Sequence, residues 1–243
     1  MGLTADGVSG ILGLAFPSEA AISSTIGRML LDNIFSSLDP SRRYFAYKLN
    51  APEEESTFSV GEIDSTYVNR SSDLQFSPVY ATDGHDYDYW KLPLLSISLN
   101  SASVPFELSP SKVAGSSTPI AVLDTGTTLI LGPSQDVDKF WKLIGGAQKD
   151  QDGTWKVRCN RAVSVGLTLG NDTVHREFIL NPSDVNWMPT GSPSDDWCMG
   201  GVQGNDGVSR GLLCLLDFSS GPSYLNSVGF LRRLATWRHL FKS

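Results

Sequence analysis

Asp124-Thr125-Gly126 is the stretch of this 243-residue chain whose residue types and spacing point most directly to chemistry. The carboxylate follows an apolar run, Ile120 to Leu123, and precedes a polar turn, Thr125 to Thr128. A second apolar run, Leu129 to Leu131, then stops at Gly132-Pro133. An apolar run bounded by turn residues reads as a buried strand. Gly126, lacking a Cβ, lets the chain reverse sharply. Asp124 is therefore expected where a buried strand emerges into a turn rich in hydroxyls. A carboxylate in that place is hydrogen-bonded, ionised at a cost, or put to chemical use. By residue frequencies the tripeptide arises by chance in about four chains in a hundred of this length, so its surroundings must decide.

Those surroundings read as mainly β. "RRYFAYKLN" (42–50) and "STFSVGEID" (56–64) alternate like strands around the acidic loop "APEEE". "LQFSPVYA" (74–81), "DYWKLPLLSISLN" (88–100) and "VPFEL" (104–108) continue the series up to the Asp124 stretch. "TWKVRCN" (154–160), "VSVGLTLGN" (163–171) and "REFILNP" (176–182) return to the strand pattern. Two helices interrupt it. "DVDKFWKLIGG" (136–146) is one; the other spans about Ala20 to Phe35, where Ile22, Ile26, Met29, Leu30 and Ile34 recur at helical spacing. Ile11, Leu12 and Leu14, with Gly10 and Gly13, read as a short buried strand and turn.

Composition narrows the function classes. The net charge is −7, from 19 basic and 26 acidic residues, which argues against nucleic acid as a partner. No run of 18 apolar residues occurs, so no transmembrane helix is expected. The opening "MGLTADGVSG" lacks a basic region followed by an apolar stretch, so no signal peptide is read there. Its sixth residue, Asp6, departs from the N-myristoylation pattern. Residues 227–243 carry four bases and no acid, and Phe230, Leu231, Leu234, Leu240 and Phe241 can share one helical face. A packed or frayed terminus is preferred there over a membrane-surface helix. Cys159, Cys198 and Cys214 fit no metal spacing, and with three histidines in the chain no metal or other cofactor is expected. A Cys–His catalytic pair has no supporting local pattern. The odd cysteine count allows one disulfide and a leftover thiol. Asn69-Arg70-Ser71 and Asn171-Asp172-Thr173 are N-glycosylation acceptors, which leans towards an oxidising, secretory context.

Taken in order, several motifs resemble those of pepsin-like aspartic proteases of fungal type. "SGILGLAF" (9–16) is similar to the apolar-apolar-Gly element near the end of that family's N-terminal lobe. "FSVGEIDSTYV" (58–68) resembles the segment joining the lobes, and "DYWKLPLLSISLN" the strand pair that opens the C-terminal lobe. "VLDTGTTLILGP" (122–133) resembles the second catalytic loop, and "CMGGVQGND" (198–206) the stretch after the C-lobe disulfide. The resemblance covers about Asp6 to Asp206. It implies a pepsin-like acid protease fold: a remnant of the N-terminal lobe (1–56), a C-terminal lobe (57–206) and an aberrant tail (207–243). After Asp206 the family's Leu-Gly-Asp strand is missing from the sequence pattern, and "GFLRR" (229–233) is only a faint echo of its closing strands.

The roles that follow are implied by that resemblance. Asp124 is one of two catalytic aspartates. Gly126 brings the loop backbone to the substrate, Thr127 hydrogen-bonds the outer oxygen of Asp124, and Thr125 grips the partner loop of the other lobe. Thr128, Tyr89 and Val122 border the cleft, with core packing the competing reading for the last two. Cys159 and Cys198 form the C-lobe disulfide, which leaves Cys214 free. The partners are a polypeptide substrate and the N-terminal lobe of a longer form, whose own Asp-Thr/Ser-Gly loop would precede Met1. A secreted or vacuolar location is expected. One Asp-Thr-Gly loop alone lacks the acid that should face its base, so the chain as written is expected to be inactive. The alternatives are a non-catalytic binding protein and an incomplete gene product.

Overall fold

A computed structural model describes residues 11–20, 26–48, 56–63, 65, 76–81, 87–100, 102–103, 108–109, 116, 118–190, 196–207, 212–215 and 229–232. Asn69 and residues 104–107 fall outside them.

The apolar runs around Asp124 form the middle of the largest sheet. Its strands are β3 (Lys91–Leu99), β4 (Ala102–Ser103), β5 (Ile120–Leu123), β6 (Ile130–Gly132), β9 (Val165–Gly170), β10 (His175–Leu180), β13 (Val202–Gly204) and β14 (Leu212–Leu215). They run in the order β10-β9-β3-β5-β14-β6-β13, with β4 beside β3. A smaller sheet, ordered β15-β1-β2, joins β1 (Tyr44–Lys48), β2 (Thr57–Val60) and β15 (Gly229–Arg232). The third, ordered β11-β12-β8-β7, joins β7 (Ala147–Lys149), β8 (Trp155–Arg158), β11 (Asn186–Pro189) and β12 (Trp197–Gly200). The helices are α1 (Leu30–Ser36), α2 (Ser134–Ile144) and the single turn α3 (Pro182–Val185).

Two hydrophobic cores result, because an apolar strand face must be covered to leave water. The larger lies under the main sheet, where Val137, Phe140, Trp141 and Ile144 on one side of α2 meet Leu94, Ile130, Val165 and Leu167. The smaller collects Phe16, Leu31, Phe35, Phe45 and Trp90. Leu123 packs against both. The residue before the candidate catalytic aspartate thus joins the two cores.

Four expectations from the sequence are corrected. Of the helix expected over 20–35, residues 21–25 lie outside the described residues, 26–29 are not helical, and α1 begins at Leu30; Ile26 is 81% exposed. Gly27 is a poor helix former. Only Leu31 and Phe35 of α1 are buried. Ile11, Leu12 and Leu14 form no strand; Ile11 is 80% exposed and Leu12 48%, while Phe16 enters the core and Leu14 packs against it. Residues 76–81 are extended but not a strand: Tyr80 N–H reaches the Lys91 carbonyl at 2.9 Å, and Pro78 has no N–H to extend a ladder. Residues 212–215, assigned from the sequence to the tail, lie between β5 and β6. β14 runs parallel to β5, with Leu215 opposite Leu123, and antiparallel to β6 at Cys214–Leu131.

Candidate active site

Asp124 emerges from the most deeply buried strand near the turn. Ile120 and Ala121 are fully buried and Val122 is 3% exposed. The antiparallel ladder with β3 pairs Lys91 with Val122, and the next bond, Leu123 N–H to the Trp90 carbonyl at 2.9 Å, carries it one residue further. Thr125 and Gly126 then turn the chain, and β6 leads away. The carboxylate is held locally at both oxygens. Oδ1 accepts the Gly126 N–H at 2.8 Å and Oδ2 accepts the Thr127 hydroxyl at 2.5 Å. The side chain is neither locked in the core nor loose in solvent: Asp124 and Thr127 are half-buried, while Thr125, Gly126 and Thr128 are exposed.

On the other side of the ladder, Tyr89 immediately precedes Trp90, the last residue bonded across to this strand. The Tyr89 hydroxyl donates to Glu19 Oε2. That hydrogen bond, with burial and the negative charges of Glu19, Asp88 and Asp124, pushes the phenol up to about 12. The segment bearing Glu19 is fastened in place. Phe16 N–H donates to the Asp88 carbonyl at 3.0 Å, Ser18 Oγ to the Tyr87 carbonyl at 2.7 Å, and Trp90 Nε1 to the Leu14 carbonyl at 2.8 Å. Asp88 is matched by buried Lys91, whose Nζ lies 2.6 Å from Oδ1 and 2.7 Å from Oδ2.

The structure thus brings Gly126 and Thr127 onto Asp124, with the Tyr89 phenol near enough to feel its charge; Thr125 and Thr128 are exposed and Val122 is buried in the core. Cys159 and Cys198 are bridged, with Cα atoms 5.0 Å apart, at the ends of β8 and β12 and away from this point. Asn171 sits in the turn between β9 and β10, where its Oδ1 accepts from Thr173 N–H, Thr173 Oγ1 and Val174 N–H. Among the described residues no group of three or more His, Cys, Asp or Glu side chains could hold a metal ion, and no helix is long and apolar enough to cross a membrane. Sequence reasoning missed Glu19 and β14. The apolar run Leu212 to Leu216 was a visible signal for the strand; nothing local marked Glu19.

Known proteins place this arrangement. The eukaryotic aspartyl protease family matches residues 3–214. Pepsin A of Bos taurus is 34% identical over 230 residues, covering 93% of this chain and 52% of its own length. Penicillopepsin-1 of Talaromyces stipitatus is 28% identical over 206 residues, covering 84% of this chain and 46% of its own. The chain therefore spans about half the length of these relatives. The crystal structure of an aspartic proteinase from Irpex lacteus superposes with a TM-score of 0.60 at 23% identity, over 87% of this chain and 62% of that one, and so shares the fold. With its mainly β architecture and its single Asp-Thr-Gly turn, this chain belongs to the pepsin-like aspartic proteases.

Proposed function

We propose that this chain supplies the second catalytic loop of an aspartic endopeptidase that hydrolyses polypeptides under acid conditions. On this reading residues 57–206 are the C-terminal lobe, 1–56 a remnant of the N-terminal lobe, and 207–243 a tail divergent in sequence that still gives β14 to the main sheet and β15 to the smaller one. The observation that carries it is the hold on Asp124: a carboxylate at the mouth of a buried strand, bonded at one oxygen by Gly126 N–H and at the other by Thr127.

In such enzymes two aspartates share one proton, because like charges about 3 Å apart cannot both ionise. One is then a base that takes a proton from water as the water attacks the peptide carbonyl. The other is an acid that polarises that carbonyl. The pair titrates as a unit. Asp124 is one member; Thr127 orients it, and Gly126 lets the backbone come close to the peptide. Thr125, exposed at the turn, is available to grip the loop of the other lobe. Thr128 and Tyr89 line the rim, and Val122 supports the wall. A disulfide-bonded chain with an acceptor triplet in an exposed turn at Asn171 fits a secreted or vacuolar protein.

The second reading, a protease-like binding protein or incomplete gene product, is favoured by one fact: the sequence contains a single Asp-Thr/Ser-Gly turn. By itself, then, the chain does not cleave peptide bonds at a useful rate. The test is to express it fused to a pepsin-like N-terminal lobe that carries the other Asp-Thr-Gly loop, and to assay digestion of a denatured protein at acid pH. Cleavage that is blocked by a transition-state-mimicking peptide and vanishes in Asp124→Asn supports the protease reading. Cleavage surviving Asp124→Asn refutes the role of Asp124, and absence of cleavage in a well-folded fusion favours the binding protein. Concentration-dependent cleavage by the unfused chain would instead mark two copies pairing their Asp124 loops.

A further inference from the structure

We propose that Glu19 is a positioning residue of the Asp124 cleft: by accepting the Tyr89 hydroxyl proton it fixes that ring near Asp124 and leaves the phenol oxygen as an acceptor for a peptide N–H. This inference rests on the protease reading above.

Three observations lead to it. First, the β3–β5 register is firm. Lys91, Leu92 and Pro93 pair with Val122, Ala121 and Ile120, and the Leu123–Trp90 bond extends the ladder towards the turn. Tyr89 and Asp124 follow directly after that last bond on the two chains, and the negative charge of Asp124 acts on the phenol. Second, Glu19 is not a stray surface acid. It ends a 3-10 turn, Pro17–Glu19, that is bonded with its flanks to the carbonyls of Tyr87 and Asp88 and to the indole N–H of Trp90. The aromatic contacts of Phe16 with Tyr87 and Trp90, centroids 5.4 and 4.4 Å apart, hold the same segment. Third, the carboxylate has a specific use: among the described residues no cation forms an ion pair with Glu19, and its hydrogen bond goes to Tyr89. Asp88, the other acid nearby, is already matched by Lys91.

The chemistry follows from donor and acceptor counts. A phenol has one O–H to give, and its oxygen can still accept. The Tyr89 hydroxyl hydrogen points to Glu19 Oε2, so that donor is committed to Glu19. What the phenol offers the cleft is a lone pair. The group it suits is an N–H donor, such as a backbone amide of an extended peptide lying across the turn. Tyr89 is 39% exposed, so that lone pair is within reach of a ligand.

The test uses the chain itself, labelled with 13C at tyrosine Cζ, with Tyr89→Phe to identify the signal. In the wild type the Tyr89 signal titrates near 12; in Glu19→Gln it falls towards the ordinary phenol value of about 10. Calorimetry then measures an end-blocked peptide with a central Phe-Phe, and the same peptide N-methylated at one amide at a time. One N-methyl position should cost wild type about tenfold in affinity, the weight of one hydrogen bond, and cost Tyr89→Phe nothing. Glu19→Gln should weaken the unmodified peptide several-fold. A titration unmoved by Glu19→Gln overturns the pairing. N-methyl losses equal in wild type and Tyr89→Phe overturn the acceptor role. If the titration behaves as expected and wild type binds none of the peptides even when fused to the N-terminal lobe described above, it is the protease reading that fails, and the peptide contact fails with it.

Discussion

Replacing Gln203 by Leu should destabilise the protein by about 3 kcal/mol. Gln203 lies in β13 and is 8% exposed. Its Oε1 accepts the Trp155 N–H at 2.9 Å, and its Nε2 donates to the carbonyls of Trp155 at 2.8 Å and Gly200 at 2.7 Å. β13 belongs to the main sheet, whereas Trp155 and Gly200 belong to the four-stranded sheet. One side-chain amide therefore ties the sheet that carries Asp124 to the sheet that carries the disulfide. Leucine keeps the volume and removes all three bonds. Three bonds at a net of about 0.5–1.5 kcal/mol each give about 1.5–4.5 kcal/mol. Leaving the Trp155 peptide unpaired in the interior pushes the cost upward, and the greater hydrophobicity of leucine takes back about 1 kcal/mol. The value near 3 is a large share of a usual stability of about 5–15 kcal/mol. Urea unfolding followed by tryptophan fluorescence should show the midpoint falling by about 1 M or more, with an unchanged slope. A loss below about 1 kcal/mol would refute the reasoning, because it would mean that this backbone finds other partners.

Leu123→Ala removes the side chain that packs against both cores. It is half-buried, so the loss should sit near the low end for such truncations, about 2 kcal/mol, and thermal melting that matches wild type would speak against Leu123 as the joint. Converting both Cys159 and Cys198 to Ser should cost about 4 kcal/mol in the chain-entropy account, given their 39-residue separation; an unchanged urea midpoint would contradict it. Alkaline titration gives the fourth. The Tyr89 phenol is raised in the folded state, so its contribution to stability is complete below about 10 and is lost as pH rises towards about 12. Tyr87, raised by burial, acts in the same direction. Glu19→Gln should flatten this alkaline decline, and an identical decline in that variant would exclude the Glu19 bond as its main cause.

What the sequence disclosed, and what it hid, divides by the range of the interactions involved. The Asp124 turn was legible because its determinants are local: a buried strand, a glycine two residues on, and a hydroxyl at Thr127 that returns to the carboxylate. Helix α2 and strand β8 were legible for the same reason, since each buries one side at its own period, and β9 was legible as an apolar run buried on both faces. The glycines of "CMGGVQGND" were visible as a motif, but their cause was not. A Cβ on Gly200 would stand 2.3 Å from the Trp141 ring, and one on Gly201 would stand 1.7 Å from the Asp184 carbonyl. Those contacts cross from β12 to α2 and α3. The N-terminal third misled for the converse reason. Ile22, Ile26 and Leu30 have helical spacing, but period alone does not supply a surface to pack on, and Ile26 and Leu30 stay exposed.

The same distinction decides which parts of the site can be read in advance. A carboxylate and the groups that hold it can be adjacent in sequence, and here they are. The wall opposite cannot, because an antiparallel ladder brings Tyr89 to Asp124 from a distant strand, and Glu19 reaches Tyr89 across 70 residues. β14 adds the parallel neighbour of β5 from still further along the chain. A turn motif therefore identifies where chemistry can occur, while the residues that set what it acts on come from long-range pairing. Changes at Thr127 should alter the hold on Asp124 and leave the Tyr89 titration in place. Changes at Glu19 should do the reverse. If Thr127→Val moved the Tyr89 signal as far as Glu19→Gln does, the two sides of the cleft would be one coupled unit, and this division would be wrong.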